Sequence, residues 1–516
     1  MQETMSSIAT VLIFLFLVIH ITEQHQKPCI PRNYGLSSVV CVCNSTYCDN
    51  ILQPQLLPRG QYLSYTSTLS GLRFKEKRGN FQISSESKRE NSVVIDIDSS
   101  KTYQSIFGWG GSFTDATGIN IKSLSSGAAE NLIRSYFSEE GLEYNLCRVP
   151  IGGTDFSTHG YSYNDGNEDP QLSNFKLAFE DYQYKIPLIK AAQNLTTGKL
   201  ELFASAWTAP KWMKHNEKYT GPDFLKKSMY QPWANYYLKF LKAYKQKGIE
   251  FWGITTSNEP STGLIPSRIN SVGWLPWQMR EWVAENLGPT IRNSEFSDIK
   301  IIGIDDQIFF FPLYIDVMFE DERVKNYIDG FGLHWYWNFL PPMLLTVTHN
   351  KYSDKFILAT EACEGAGVYK KHVLLGEWNR AESYAIDIIK DLNNWVTGWI
   401  DWNMALDVTG GPTYISNNVD SPIIVNKTAG EFYKQPMYYA LGHFTKFIPK
   451  GSQRIYVKQS KEEVDLVAFI RPDNATVIVA MNRNNHDVDV RIEDKNNAVE
   501  ILDILPARSI NTFLYL

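Results

Sequence analysis

Ile254-Thr255-Thr256-Ser257-Asn258-Glu259-Pro260 is the stretch on which the fold reading turns. Its apolar, β-branched beginning reads as a buried strand. Proline does not continue a central strand, so Asn258 and Glu259 fall at that strand's C-terminal end. The design recurs further along, where Phe356-Ile357-Leu358-Ala359-Thr360 runs into Glu361-Ala362-Cys363. Outward from these two, apolar strand candidates cover Ile106–Gly111, Tyr144–Val149, Leu200–Ala206, Phe251–Ser257, Ile299–Ile304, Phe331–Trp335, Phe356–Thr360 and Gly398–Trp402. Helical patterns lie between them, the clearest at residues 232–247. Pro232 suits a first helical position, Trp233, Tyr237, Phe240, Leu241 and Tyr244 form one apolar stripe, and Gly248 is a stop signal. Eight strands alternating with helices predict an α/β fold, a (β/α)8 TIM barrel.

Barrels of this kind carry their chemistry just past the strand ends. In chain order those positions hold Asp115, Asp155, Trp207, Asn258 and Glu259, Asp305-Asp306-Gln307, His334-Trp335-Tyr336, Glu361, and Trp402-Asn403. Two glutamates at the ends of two buried strands point to glycoside hydrolysis by a carboxylate pair. A paired structural carboxylate is the plainer reading of either glutamate alone. Unpaired buried Glu is rare, and two at matching strand ends weigh against that reading. For the tryptophans, core packing competes directly with sugar stacking.

The chain has 516 residues, more than one domain's usual size. A net charge of −6 and no long basic run exclude nucleic acid as a partner. Residues 8–21 are almost unbroken apolar sequence followed by Thr22-Glu23-Gln24, too short for the roughly 20-residue bilayer span but suited to a signal peptide over residues 1–24. Glu3, with no Lys or Arg before the apolar run, departs from the usual signal pattern. Cys29, Cys41, Cys43 and Cys48 crowd together just after it and read as two disulfides in an oxidising compartment, with three pairings open. A zinc site is the competitor, but Cys41-Val42-Cys43 is not the usual ligand spacing. Cys147 and Cys363 read as buried free thiols. Sequons at Asn44, Asn194, Asn426 and Asn474 agree with passage through the secretory route. After residue 451 short strands at Val464–Ile470, Thr476–Met481 and Val488–Ile492, with β-rich Tyr62–Ile97, predict an antiparallel, immunoglobulin-like sandwich made from both ends of the chain.

Longer stretches carry a specific resemblance. They include Pro28-Cys29-Ile30-Pro31, Ser135-Tyr136-Phe137-Ser138-Glu139-Glu140-Gly141, and Trp207-Thr208-Ala209-Pro210-Lys211-Trp212. His334-Trp335-Tyr336, Asp401-Trp402-Asn403, Asp420-Ser421-Pro422-Ile423-Ile424-Val425 and Gly442-His443-Phe444 continue the series. Over nearly all of its mature length the chain resembles glycoside hydrolase family 30. The resemblance implies a barrel over residues 102–402 plus 437–451, a discontinuous sandwich over 54–101 plus 452–516, and a small disulfide-bonded β domain over 26–52 plus 404–435. It implies a lysosomal, membrane-associated retaining enzyme acting on glucosylceramide, with a saposin-type activator and anionic lipids as partners, and neither metal nor organic cofactor.

In that resemblance Glu259 is the acid/base and Glu361 the nucleophile. Glu259 must start protonated, which predicts a carboxyl held above the ordinary glutamate range. Arg148 is expected to favour the Glu361 charge, and Asn258 to bond the sugar 2-hydroxyl. Asp155, Trp207, Trp402 and Asn417 match glucose-holding positions, with Tyr336 beside the nucleophile. Apolar loops at 308–314 and 337–345 are expected near the pocket mouth, facing lipid or a partner. The segment Glu364-Gly365-Ala366-Gly367-Val368-Tyr369-Lys370 departs from the family's more apolar pattern, with Glu364 read as a solvated loop charge. The segment between the third and fourth strands is also slightly shorter than in the family. Two alternatives stand beside this reading: the same chemistry on another β-glycoside (a steryl glucoside, or a soluble β-glucoside or β-xyloside), and a catalytically silent carbohydrate- or lipid-binding relative.

Overall fold

A computed structural model describes residues 26–82, 92–367, 371–497 and 499–516. The expected signal segment lies outside them. Eight parallel strands close into a barrel: β1 (Gly108–Ser112), β2 (Leu146–Ile151), β3 (Glu201–Ala206), β4 (Gly253–Thr255), β5 (Lys300–Gln307), β6 (Gly330–His334), β7 (Phe356–Glu361) and β8 (Val396–Asn403). Every one overlaps a run anticipated from the sequence.

Period-two alternation along these strands stacks the barrel interior in layers. Leu146, Phe203, Ile302, Leu358 and Ile400 form an apolar plug. Two residues further along β2, β3 and β7, Arg148, Ser205 and Thr360 make a buried polar layer above it, bonded to Asp305 of β5. The strand ends then open the site.

The helix expected at 232–247 runs from Tyr230 to Lys245, led in by a tight turn at Lys227–Met229. Pro232 therefore sits third in the helix, where its missing N–H is still one that no earlier carbonyl would accept. The aromatic stripe is buried as expected, and Gly248, at φ +75°, ends the segment.

Strands from both chain ends form a nine-stranded sheet that folds over itself around a second apolar core. Tyr62 Oη donates to Asp503 at 3.1 Å and Lys77 pairs with the same carboxylate, joining the two faces. The sandwich is not wholly antiparallel, because Val93–Ser105 pairs in parallel with Val488–Asp494. A five-stranded sheet pairs Val40–Cys43 with Glu431–Lys434, so the disulfide-bonded start is held by strands from far along the chain. The cysteines pair as Cys29–Cys41 and Cys43–Cys48, while Cys147 and Cys363 are free and buried.

The tightest backbone approach in the barrel is at Gly110, where a Cβ would overlap the Leu146 carbonyl oxygen and sit 2.9 Å from Cys147 Sγ. Gly110→Ala is expected to cost about 3 kcal/mol, read as an earlier denaturation midpoint. A wild-type midpoint would show that β1 and β2 can separate freely.

Candidate active site

Glu259 follows β4 in a left-handed backbone conformation (φ +39°), and its N–H donates to the Asp305 carbonyl at 3.0 Å. Its carboxylate accepts from Thr262 Oγ1 at 2.7 Å and Gln307 Nε2 at 2.9 Å, and His334 Nδ1 lies 2.9 Å away. Glu361, at the end of β7, accepts from Tyr336 Oη at 2.8 Å and is bonded directly by Arg148 Nη1. The facing donor atoms of Glu259, His334 and Glu361 lie within 4.8 Å of one another. By spacing those three could hold a cation, but Arg148 and the His334 hydrogen bonds already occupy them.

These residues open into a cavity of ≈ 450 Å³, whose walls include Asp155, Trp207, Asn258, Tyr336, Trp402 and Asn417. Trp207 and Trp402 stack at 4.8 Å, and Asn417 Nδ2 donates to Asp155 Oδ2 at 2.8 Å. Every residue given a catalytic or glucose-holding role above, except Arg148, lines this space, whereas Asp115, Asp305, Asp306, His334, Trp335 and Asn403 do not. Arg148 is wholly buried beneath its floor, bonded to Asn258 Oδ1 at 2.8 Å and Asp305 Oδ2 at 2.6 Å, with its guanidinium 4.6 Å from the Trp207 ring centre. It therefore reaches the cavity only through its bonds to Glu361 and Asn258.

His334 and Asp305 stood at strand ends in the sequence, but nothing there marked them as partners of the glutamates. His334 Nε2 lies 3.1 Å from Asp305 Oδ1, so both ring nitrogens face carboxylates. Such a ring needs two protons, or one carboxylate must carry one. Burial disfavours the imidazolium, yet Glu361, Asp305 and Glu259 together push its pKa up to about 10. This overturns the expectation for Glu259. Burial raises its carboxyl, but the His334 bond and charge, with Thr262 and Arg148, hold it below the ordinary glutamate range in the free site. Glu361 is raised, by burial first and by the nearby Glu259, against the pull of His334 and Arg148.

Glu364 also differs from expectation. It is partly buried, with Oε2 3.8 Å from Arg380 Nε. Of the apolar loops, Phe309 and Trp337 line the cavity with their ring centres 5.7 Å apart. Leu313 and Phe339 are 70% and 75% exposed, while Phe311 and Leu345 are buried in the core. Ile265, which the sequence did not single out, joins the cavity rim. Among the described residues no helix is long and apolar enough to cross a membrane.

A β/α barrel with paired strand-end carboxylates in an aromatic, sugar-sized cavity is the architecture of a glycoside hydrolase. The chain belongs to glycosyl hydrolase family 30: residues 106–448 match that family's TIM-barrel domain and residues 451–513 its β-sandwich domain. It is 41% identical over 498 residues to lysosomal acid glucosylceramidase of Mus musculus, covering 95% of this chain and 96% of that one. Putative glucosylceramidase 3 of Caenorhabditis elegans is 41% identical, covering 98% of each chain. The crystal structure of SrfJ from Salmonella typhimurium superposes with a TM-score of 0.82 at 25% identity, over 88% of this chain and 99% of that one. The silent-relative reading is set aside.

Burial raises Asp155 and Asp306 to about 7, and Asp115, Asp387 and Asp420 to about 6. A folded-state pKa above the unfolded value of about 3.9 stabilises the fold at low pH, and that contribution is lost as pH rises through 6 and 7. His334 adds the same sign, and His443, lowered by burial to about 3, subtracts a smaller amount below pH 6.5. The denaturation midpoint is therefore expected to be about 5 °C higher at pH 5 than at pH 7.5. A higher midpoint at pH 7.5 would contradict these assignments.

Proposed function

We propose that this protein hydrolyses glucosylceramide with retention of configuration, Glu361 acting as nucleophile and Glu259 as acid/base. The observation that carries the reading is the closeness of the pair, one oxygen of Glu259 lying within 4.8 Å of one oxygen of Glu361. Retaining enzymes hold the pair about 5–5.5 Å apart, whereas inverting ones leave about 6.5–9.5 Å for a water.

In the first step a Glu361 oxygen bonds to the anomeric carbon while the glycosidic C–O bond breaks. The leaving oxygen takes a proton from Glu259, and ceramide departs. His334 passes its Nδ1 proton to Glu259 as that transfer occurs, and recovers a proton from Glu259 after the second step, so one proton circulates. In the second step Glu259, now a carboxylate, takes a proton from water as the water oxygen attacks the anomeric carbon. The ester bond breaks, releasing β-glucose and free Glu361. A Glu259 held below the ordinary range suits this base role. Asn258, fixed by Arg148, faces the cavity beside Glu259 and suits the sugar 2-hydroxyl. Asp155 and Asn417 suit the hydroxyls at the far edge of the ring.

The exposed apolar side chains at the rim support a lipid substrate presented at a membrane, with anionic lipid and a saposin-type activator as partners. Ile265, Phe309 and Trp337 line the cavity half in water. Leu313, Phe339 and Met343 on the two apolar loops are more exposed still, together more apolar surface than a soluble substrate requires. The pattern of raised buried carboxylates supports work in an acidic compartment, the lysosomal lumen reached by the secretory route. Asn194 and Asn474 are exposed and open to glycosylation, whereas Asn44 and Asn426 are half-buried and their side-chain amides are hydrogen-bonded.

Turnover of glucosylceramide in anionic liposomes at about pH 5, with and without the activator, tests the reading. Wild type is expected to cleave the lipid, with losses of at least about 10³-fold in Glu259→Gln and Glu361→Gln. Cleavage of a soluble aryl β-glucoside without lipid turnover would keep the chemistry and overturn the substrate.

A further inference from the structure

We propose that Asp305 is the positioning residue of this active site, one buried carboxylate that sets the partner of each catalytic glutamate. The inference rests on the assignment of Glu259 and Glu361 above.

Asp305 is fully buried and does not reach the substrate cavity. Its Oδ2 accepts from Arg148 Nη2 at 2.6 Å and Ser205 Oγ at 3.0 Å. Its Oδ1 accepts from Thr360 Oγ1 at 2.6 Å and lies 3.1 Å from His334 Nε2. Arg148 bonds Glu361, and His334 bonds Glu259. The main-chain carbonyl of Asp305 adds a third link by accepting the Glu259 N–H at 3.0 Å.

The backbone is shaped for this task. Between β5 and β6 the register jumps from Ile304↔Gly332 to Asp306↔Leu333, leaving Asp305 as an extra residue. Ile304 and Asp305 both adopt left-handed backbone (φ +69° and +58°). For a β-branched residue that conformation is costly, and such strain persists where surrounding structure enforces it, commonly at functional sites. The bulge turns a side chain that would alternate outward into the barrel axis. Gly332 leaves the room: a Cβ there would sit 2.9 Å from both Asp305 Cα and Oδ1. An apolar filler at position 305 would pack the barrel, so packing alone does not account for a strained, four-fold bonded carboxylate.

The charged groups facing Asp305 are Arg148 from β2, His334 from β6, Glu361 from β7, and Glu259 beyond β4, with its neighbour Asp306 bonded to Ser261. Removing the negative charge leaves this cluster more positive, so its protons are released at lower pH. Asparagine keeps the shape but turns an N–H₂ towards His334 Nε2, which then accepts and leaves a single proton, on Nδ1. A neutral ring does not give up that remaining proton, so the acid step loses its supply.

The test is Asp305→Asn in the full chain, assayed on a soluble aryl β-glucoside across pH beside wild type and Glu361→Gln. The variant is expected to lose about 10²-fold in kcat with KM little changed. The alkaline limb of its profile is expected to move acid-ward by about one pH unit. A wild-type profile in Asp305→Asn, with Glu361→Gln inactive, overturns this inference alone. Full activity in Glu361→Gln overturns the nucleophile assignment beneath it. Should Asp305→Asn fail to fold, Ser205→Ala removes one donor to Asp305 and the acceptor of Arg148 Nε, with the charge kept. A fall of about tenfold in kcat is then expected, and unchanged kcat overturns the proposal.

Discussion

Two carboxylates within 4.8 Å of each other in a buried site repel, and everything beneath them serves to offset that repulsion. Arg148 and His334 are the cations that do so, and Asp305 lies between them, bonded to both. Taking one member from such a buried network leaves an uncompensated charge, a loss of about 3–5 kcal/mol. The barrel supplies the geometry: β2, β5, β6 and β7 each contribute one charged side chain pointing to the same axis. Below them the apolar plug keeps water out and strengthens every charge interaction above it.

Much of this was legible in the chain. The eight strands could be read because a parallel strand buried on both faces is a continuous apolar run, and each ended in a recognisable polar or aromatic residue. Glu259 and Glu361 stood out because a carboxylate immediately after such a run has little structural reason to be there. The stacked Trp207 and Trp402 were named from a resemblance; spacing alone could not separate them from core. Asp305 and His334 were visible at their strand ends, but their role depends on a bulge that shifts register by one residue. Alternation read from sequence would have turned Asp305 outward. The state of Glu259 differs from its expectation because the acid's need to start protonated argues for a raised carboxyl, while His334, which the sequence does not mark as its partner, lowers it. Glu364 looked solvated because its partner Arg380 comes from the following helix, not from its own loop.

The parts outside the barrel answer a different need. Both the sandwich and the small disulfide-bonded sheet are assembled from segments far apart in the chain. His443, buried and neutral between Ser67 and Thr512 hydroxyls, binds a helix of the barrel region to the sandwich. At the opposite extreme Ile265, Phe309 and Trp337 line the cavity with much of their apolar surface in water, against the usual preference of a monomeric surface. In the proposed reaction, a buried charged floor meets the sugar and an apolar mouth meets what the sugar is attached to.

The central claim is that Glu361 becomes covalently joined to the sugar while Glu259 manages the proton. Incubation with a 2-deoxy-2-fluoro-β-glucosyl fluoride, followed by proteolysis and mass mapping of the modified peptide, examines it directly. The account predicts one fluoroglucosyl group per chain, attached at Glu361. A label on Glu259 or Glu364, or turnover of the reagent with no covalent adduct, would contradict it.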